Sequence, residues 1–204
     1  MIKPTFYNLP ARKRHRIIMS IVTEFSEMPD EKISINRIVR RADISRGSFY
    51  QYFDDKVDLI EVLMKTFVEQ TVEGVRRAAE ESDGDIFYTY ERLFELIAEH
   101  ADNDVNKAVL RRLVRNIHAN NDLVTEYMSH RFCGISDFKN CAKHFSRERF
   151  RFQNDEDFEL IMQMLTGILK NSLFNYFVVG EKYEVVLSNF RRKIEILKAG
   201  VLLP

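Results

Sequence analysis

Apolar side chains recur at spacings of three and four along most of this 204-residue sequence. In the stretch RHRIIMSIVTEFSE, for example, Ile17, Ile21 and Phe25 fall on one face of a helix. The sequence shows no strand-like alternation of useful length and no internal repeat. Only seven Gly and four Pro are present, so the loops must be short. The pattern predicts an all-α fold of about nine helices.

Capping residues set the expected helix limits. Ser34 and Ser45 are candidate N-caps of two short helices. Asp54 or Asp55 can cap a long helix that follows them. The predicted helices cover about residues 10–28, 34–42, 45–53, 56–81, 86–101, 104–118, 121–144, 155–179 and 182–199.

Charge is divided unevenly along the chain. The net charge is zero, yet residues 1–53 hold ten Lys or Arg against five Asp or Glu, and residues 54–204 hold 21 against 26. A basic N-terminal quarter suits contact with a polyanion, although a solvated basic surface is an equal alternative. We therefore expect a head, residues 1–54, and a second domain, residues 55–204.

Composition argues against several classes of protein. No apolar run approaches the ~20 residues that span a bilayer, and no secretory signal is visible, so we expect a cytoplasmic location and no membrane partner. A Gly-rich phosphate loop, a nucleophile elbow and a His-Glu-x-x-His motif are all missing from the sequence. We expect neither catalysis nor a cofactor.

The two short helices, joined by about three residues, fit a helix-turn-helix over residues 34–53. The second helix of that motif presents its N-terminal residues to base edges in the major groove. Arg46 can bind guanine or a phosphate, and Gln51 can pair with adenine. Gly47 removes a side chain where a backbone must approach DNA closely. A simpler interpretation is open for single residues, since Arg46 alone could be a solvated charge and Ser45 only a cap.

Aromatic residues divide the same segment into two faces. Phe49 and Phe53, four residues apart, are expected in the core against Ile21, Phe25 and Ile38. Tyr50 and Tyr52 carry hydroxyls that suit phosphate oxygens, although Tyr52 could be half-buried.

The stretch SINRIVRRADISRGSFYQYFDDKVDLIEVL resembles the DNA-binding region of TetR-type transcriptional regulators. The match covers about residues 10–63 and is most specific over 38–59. The resemblance implies a homodimeric repressor with two DNA-binding heads, a palindromic double-stranded operator, and a helical C-terminal domain that binds a small-molecule effector. By position the resemblance implies phosphate contacts from Ser34 or Ile35, Tyr50, Tyr52 and Lys56. It implies base or near-base contacts from Asn36, Arg46, Gly47, Ser48 and Gln51. We also expect Ser45 to be a DNA-binding residue.

Two residues depart from the family pattern, and a basic run precedes them in the sequence. Asp43 stands where the family usually has Gly, and we expect a left-handed turn there at small cost. Ile35 stands where a hydroxyl is common, so Ser34 is the substitute. The basic run RKRHR, residues 12–16, opens the first helix against its dipole, which favours a nearby DNA backbone or a minor-groove arm over a solvated helix start.

The last two helices carry broad apolar stripes that suit a two-fold four-helix interface between copies. The predicted dimer contacts are Phe158, Leu165, Leu169, Phe190 and Ile194, and part of each stripe is expected to belong to the core. Candidate effector-pocket residues are Phe87, Tyr90, Phe94, Tyr127, Phe132, Phe138, Met162 and Met164, most of them ordinary core.

A mirrored pair, HRFC and CAKH, places His130, Cys133, Cys141 and His144 at spacings that could hold zinc. Neither half has the usual Cys-x-x-Cys knuckle, and two cysteines in a cytosolic chain are by default reduced and inert. A metal-responsive or redox-responsive regulator is therefore an alternative, and no metal is expected. A helical interaction module without an effector is a further alternative, which the complete Arg46-Gly47-Ser48 set opposes.

Overall fold

Helices form nearly all the regular structure in the computed structural model, which describes residues 2–28, 32–101, 103–118, 145–152 and 154–203. The α-helices are α1 Pro4–Tyr7, α2 Ala11–Glu27, α3 Ile35–Ala42, α4 Arg46–Tyr52, α5 Val57–Glu81, α6 Ile86–Glu99, α7 Asp104–His118, α8 Asp155–Phe174 and α9 Tyr183–Val201, with a π-helical turn, Asn175–Val179, after α8. A single antiparallel bridge in these ranges joins Phe150 to Leu202. The predicted all-α class is confirmed.

The predicted helix limits agree with the observed ones to within a few residues, with two differences. The sequence did not predict α1, a four-residue helix that begins at Pro4. The expected helix over 155–179 changes from α to π geometry for its last five residues, and Gly180, at φ 85°, ends it. The expected helix over 121–144 lies outside the described residues. None of the described helices combines the length and apolar character needed to cross a bilayer.

Two compact units make up the chain. The first contains Met1–Glu69 and Asp102–Phe132, and the second contains Gln70–Ala101 and Cys133–Pro204. The first unit therefore includes the beginning of α5 and all of α7 in addition to the expected head. The functional division at residue 54 stays a prediction.

Phe49 and Phe53 lie at the centre of the first unit and are fully buried. They belong to one cluster with Ile21, Phe25 and Ile38, which confirms their predicted role in the core. The Phe49 and Phe53 rings pack against apolar residues of α2 and α3, and these contacts hold α4 in place. α7 also packs on α2, with its residue Leu113 buried in this core.

The core of the second unit is formed by α6, α8 and α9. It buries the five residues predicted as dimer contacts, all at most 7% exposed: Phe158, Leu165, Leu169, Phe190 and Ile194. Burial in the core of one chain leaves these five side chains little surface to offer a second copy, and their role as dimer contacts stays a prediction. The predicted apolar stripes on α8 and α9 supply the core of the second unit, and other apolar residues of these two helices are exposed.

Candidate nucleic-acid interface

The turn between α3 and α4 occupies residues 43–45. Asp43 adopts the left-handed conformation, with φ 53° and ψ 53°, as expected for the position that departs from Gly. The N–H groups of Asp43 and Ile44 donate to the carbonyls of Arg40 and Val39, at 3.3 and 3.0 Å. These bonds satisfy carbonyls that the end of α3 would otherwise leave without partners.

Ser45 caps α4. Its hydroxyl accepts the N–H of Ser48 at 3.0 Å, and the two hydroxyls lie 2.9 Å apart. Ser45 is therefore a structural residue as well as a candidate DNA contact. Ser34 holds the matching position before α3, but its side chain makes no capping bond.

An exposed polar group joins α3 and α4. One guanidinium nitrogen of Arg46 lies 3.5 Å from the side-chain oxygen of Asn36, and another lies 3.4 Å from the hydroxyl of Tyr50. The guanidinium carbon is 5.8 Å from the centre of the Tyr50 ring. Distances this long make weak hydrogen bonds, so a phosphate or base edge can replace them at small cost. Gln51 is exposed beside this group.

Gly47 is exposed in the first turn of α4, and its backbone has no positive φ. A Cβ added to it would meet only the Ser45 hydroxyl, at 3.8 Å, an ordinary van der Waals contact. The chain itself therefore requires no glycine at this position. Close approach of another molecule is a reason for this glycine that agrees with its exposure.

Tyr52 differs from the prediction that it faces outward. The residue is 6% exposed, and its ring lies 6.2 Å from Phe6 and 6.3 Å from Phe53, between ring centres. The half-buried alternative was closer to the structure, because Tyr52 and Phe6 of α1 both belong to the buried cluster of the first unit. Lys56 precedes α5 and is half-buried, and its carbonyl accepts the N–H of Leu59 at 3.1 Å.

The two regions of this architecture match known protein families. Residues 17–63 match the family described as "Bacterial regulatory proteins, tetR family", and residues 85–201 match "Tetracyclin repressor-like, C-terminal domain". The second match alone covers more than half of the chain. The protein belongs to the TetR family of transcriptional regulators.

Individual relatives of this TetR-family protein agree with that assignment. It is 33% identical over 72 residues to the HTH-type transcriptional regulator HbdR of Aromatoleum sp. (strain CIB), a match that covers 35% of this chain and 31% of that protein. The matched part thus spans under one third of the curated relative.

Solved structures show the same fold. A TetR family regulator from Chloroflexus aurantiacus J-10-fl covers 100% of both chains at 22% identity and a TM-score of 0.56. A putative TetR-family regulator from Mesorhizobium loti MAFF303099 covers 95% of this chain and 98% of its own, at 18% identity and a TM-score of 0.62.

A buried carboxylate in the TetR-type head escaped the sequence reasoning. Glu24 is fully buried on α2, where it accepts the backbone N–H of Ser34 at 2.9 Å and the guanidinium of Arg37 at 2.6 Å. A longer contact of 3.4 Å joins it to Arg41. Glu24 thereby attaches both the start and the last turn of α3 to α2. Glu24 follows Ile17 and Ile21 on the apolar face of α2, a position that by itself does not show which cations accompany the carboxylate.

The surroundings of Glu24 change its acidity. Burial raises the pKa of this carboxyl, but the hydrogen bonds from Arg37 and Ser34 and the charges of Arg37 and Arg41 outweigh burial and hold the pKa below its ordinary value. The carboxylate is therefore ionised near neutral pH. That charge takes part in the contacts that join α3 to α2.

The basic run over residues 12–16 is helical, as the beginning of α2, and does not form an extended arm. Arg12, His15 and Arg16 are exposed there. Arg14 donates to the carbonyl of Tyr7 at 2.7 Å, and the Lys13 ammonium lies 5.9 Å from the centre of the Tyr52 ring. The exposed members stay candidates for contact with the DNA backbone.

The three aromatic effector candidates of the described part, Phe87, Tyr90 and Phe94, lie in the core of the second unit. Tyr90 and Phe94 are buried, and Phe94 stacks on Tyr183 and Phe190 with ring centres 6.0 and 5.0 Å apart. Phe87 stacks on Phe150 at 5.7 Å. Met162 is half-buried, and Met164 is exposed.

The remaining candidates for an effector or metal site lie outside the described residues and stay predictions. They are Tyr127, Phe132, Phe138, His130, Cys133, Cys141 and His144. The metal-responsive and redox-responsive alternative therefore stays a hypothesis.

Proposed function

We propose that this TetR-family protein is a homodimeric repressor that binds a palindromic DNA operator and is released from it by a small-molecule effector. The convergence of Asn36, Arg46 and Tyr50 on one exposed face of the helix-turn-helix supports this most directly. Arg46 supplies a forked donor for guanine or phosphate, and Tyr50 supplies a hydroxyl for phosphate. Gln51, one turn along α4, offers an amide for adenine.

Exposed apolar residues on the last two helices support a dimer. Leu160 and Met164 on α8 are 49% and 52% exposed, and Val185 and Ile196 on α9 are 48% and 61% exposed. Leu160 and Met164 lie one turn apart on α8, Val185 and Ile196 lie about three turns apart on α9, and the two helices pack against each other. Two copies can bury these residues as a four-helix interface with two-fold symmetry. That symmetry gives the two heads that a palindrome requires.

A polar pair inside the aromatic core supports an effector site in the second unit. The hydroxyls of Tyr90 and Thr166 lie 2.8 Å apart, and Thr166 donates to the carbonyl of Met162, also at 2.8 Å. Burial raises the pKa of Tyr90 to about 12, so its hydroxyl stays protonated. We propose that an effector of largely apolar character binds the aromatic residues here and reaches this pair with one polar group.

The DNA-binding proposal is tested by selecting duplexes from a random-sequence library with the purified protein. We expect the selected duplexes to share a palindrome, with an affinity that falls steeply as salt rises because Lys and Arg displace counterions. The double variant Lys56→Ala plus Tyr50→Phe should bind the selected duplex more weakly. Unchanged affinity of this variant would show that the assigned phosphate contacts are wrong.

The effector proposal is tested on the same complex. Small molecules extracted from denatured, freshly purified protein are added back to the protein–DNA complex. We expect release of the duplex by wild-type protein and weaker release with Tyr90→Phe, which keeps the ring and removes the hydroxyl. Tighter DNA binding after addition would contradict release as the mechanism.

A further inference from the structure

The recognition helix α4 has seven residues, and the last carbonyls of any helix have no partner within it. In this protein the N-terminal segment provides those partners. The Lys3 ammonium donates to the carbonyl of Tyr50 at 2.7 Å, and the Lys3 N–H donates to the carbonyl of Tyr52 at 3.0 Å. Between them, the Thr5 hydroxyl donates to the carbonyl of Gln51. Three consecutive carbonyls at the end of α4 therefore accept hydrogen bonds from two residues of this segment.

Packing and charge hold the same segment in place. Phe6 is 3% exposed, and its ring centre lies 5.0 Å from that of Phe53. Ile2 is buried in the same cluster. The Lys3 ammonium also lies 2.6 Å from a carboxylate oxygen of Asp54, directly after α4. The Tyr50 carbonyl oxygen and the Asp54 carboxylate oxygen therefore hold the Lys3 ammonium at the end of α4.

We propose that residues 2–6 brace the recognition helix, with Lys3 and Thr5 as positioning residues that increase DNA affinity without touching DNA. This inference rests on the proposed DNA-binding function. Residues 2–6 lie outside residues 17–63, the part of the head that matches the family model.

The recognition helix depends on contacts from outside because α4 is short. A helix of seven residues is too short to hold its own hydrogen-bonded conformation in water, so tertiary contacts must do so. If the last turn opens in the free protein, only the closed fraction is ready to bind, and apparent affinity falls in proportion to that fraction. Tyr50 and Gln51 lie in this turn, and both face the proposed DNA surface.

The test compares Thr5→Val, which removes the donor at nearly constant shape, with Thr5→Ser, which keeps the hydroxyl. The probe is the duplex selected from the random library by wild-type protein. We expect Thr5→Val to bind more weakly, by up to about 10-fold for the loss of one hydrogen bond, and Thr5→Ser to bind like wild type. Hydrogen exchange of the α4 amides in the free protein should accelerate in Thr5→Val and not in Thr5→Ser.

A second comparison separates positioning from DNA contact. Lys3→Met should weaken binding while leaving the slope of log affinity against log salt unchanged. Lys56→Ala, at a proposed phosphate contact, should reduce that slope by about 0.9 for each phosphate that the protein no longer neutralises. A reduced slope in Lys3→Met would show that Lys3 touches DNA, and this would overturn its positioning role.

Two further results would overturn the brace. The first is unchanged affinity in Thr5→Val. The second is unchanged hydrogen exchange of the α4 amides in Thr5→Val, a measurement that needs no DNA. If wild-type protein selects no duplex, the proposed DNA-binding function fails, and the effect of the brace on DNA affinity fails with it. Hydrogen exchange still shows in that case whether residues 2–6 stabilise α4.

Discussion

The substitution Gly47→Ala separates what folding requires from what DNA binding requires. The new Cβ would lie 3.8 Å from the Ser45 hydroxyl and meet nothing nearer, and the backbone there has no positive φ. Alanine should therefore stabilise the protein by about 0.4–1 kcal/mol, because it restricts the unfolded chain and favours the helix. For a chain of this size that gain raises the melting temperature by roughly 1–4 °C.

DNA binding should change in the opposite direction. A methyl group on the exposed first turn of α4 prevents the backbone from approaching the duplex, so we expect clearly weaker binding to the selected duplex. Gly200→Ala is the matched control, because a Cβ at that position on α9 also meets nothing within 4 Å. It should stabilise the protein similarly and leave DNA affinity unchanged.

The assay is thermal unfolding together with duplex titration for wild type and both variants. Wild-type affinity in Gly47→Ala would refute close approach to DNA as the reason for this glycine. A lower melting temperature in Gly47→Ala would show instead that the fold itself requires glycine there.

Two other predictions test the head and the dimer. The pKa of Glu24 is held below its ordinary value near 4.5 in the folded state, so its stabilising effect is present above that value and is lost as pH falls through the lower, folded pKa. Glu24→Gln should reduce the free energy of unfolding at neutral pH by about 1–2 kcal/mol. The loss is smaller than for a fully buried ion pair because Arg37 and Arg41 are partly exposed. The free energy of unfolding of this variant should also depend less on pH in the acid range. Urea unfolding across pH checks this, and an unchanged acid dependence would refute it. Met164→Glu should shift sedimentation of the protein toward monomer, because it places a charge in the proposed interface. Tyr88→Glu, on the exposed surface of α6, is the control, and a dimer that survives Met164→Glu would refute the proposed interface.

Local signals in the sequence were sufficient to predict the helices and the turn of the head. Ser45 and the pair Phe49 and Phe53 each have a role that spacing and residue type determine over a few positions. The left-handed turn at Asp43 was expected from the family resemblance. Glu24 was missed because its partners on α3 are more than ten residues away, and burial of a carboxylate can be recognised only with its arginines in place.

The residues predicted as dimer contacts lie in the core of the single chain for a related reason. Apolar periodicity identifies which residues of α8 and α9 avoid water, but it does not distinguish the core of one chain from the interface between two. Leu165 and Phe190 belong to the first class, whereas Met164 and Ile196 are exposed in the single chain. The brace could not be predicted either, because Thr5 and Lys3 contact backbone carbonyls, which any sequence provides.

We propose that the exposed face around α4 recognises bases. The most direct measurement is the affinity of wild-type protein and of Arg46→Ala for the selected duplex and for duplexes with single base-pair changes. We expect wild type to lose about 1–3 kcal/mol at each contacted position, and Arg46→Ala to lose discrimination at one position in each half-site. If Arg46→Ala binds with wild-type affinity and the same discrimination at every position, the claim is contradicted for this face of the protein.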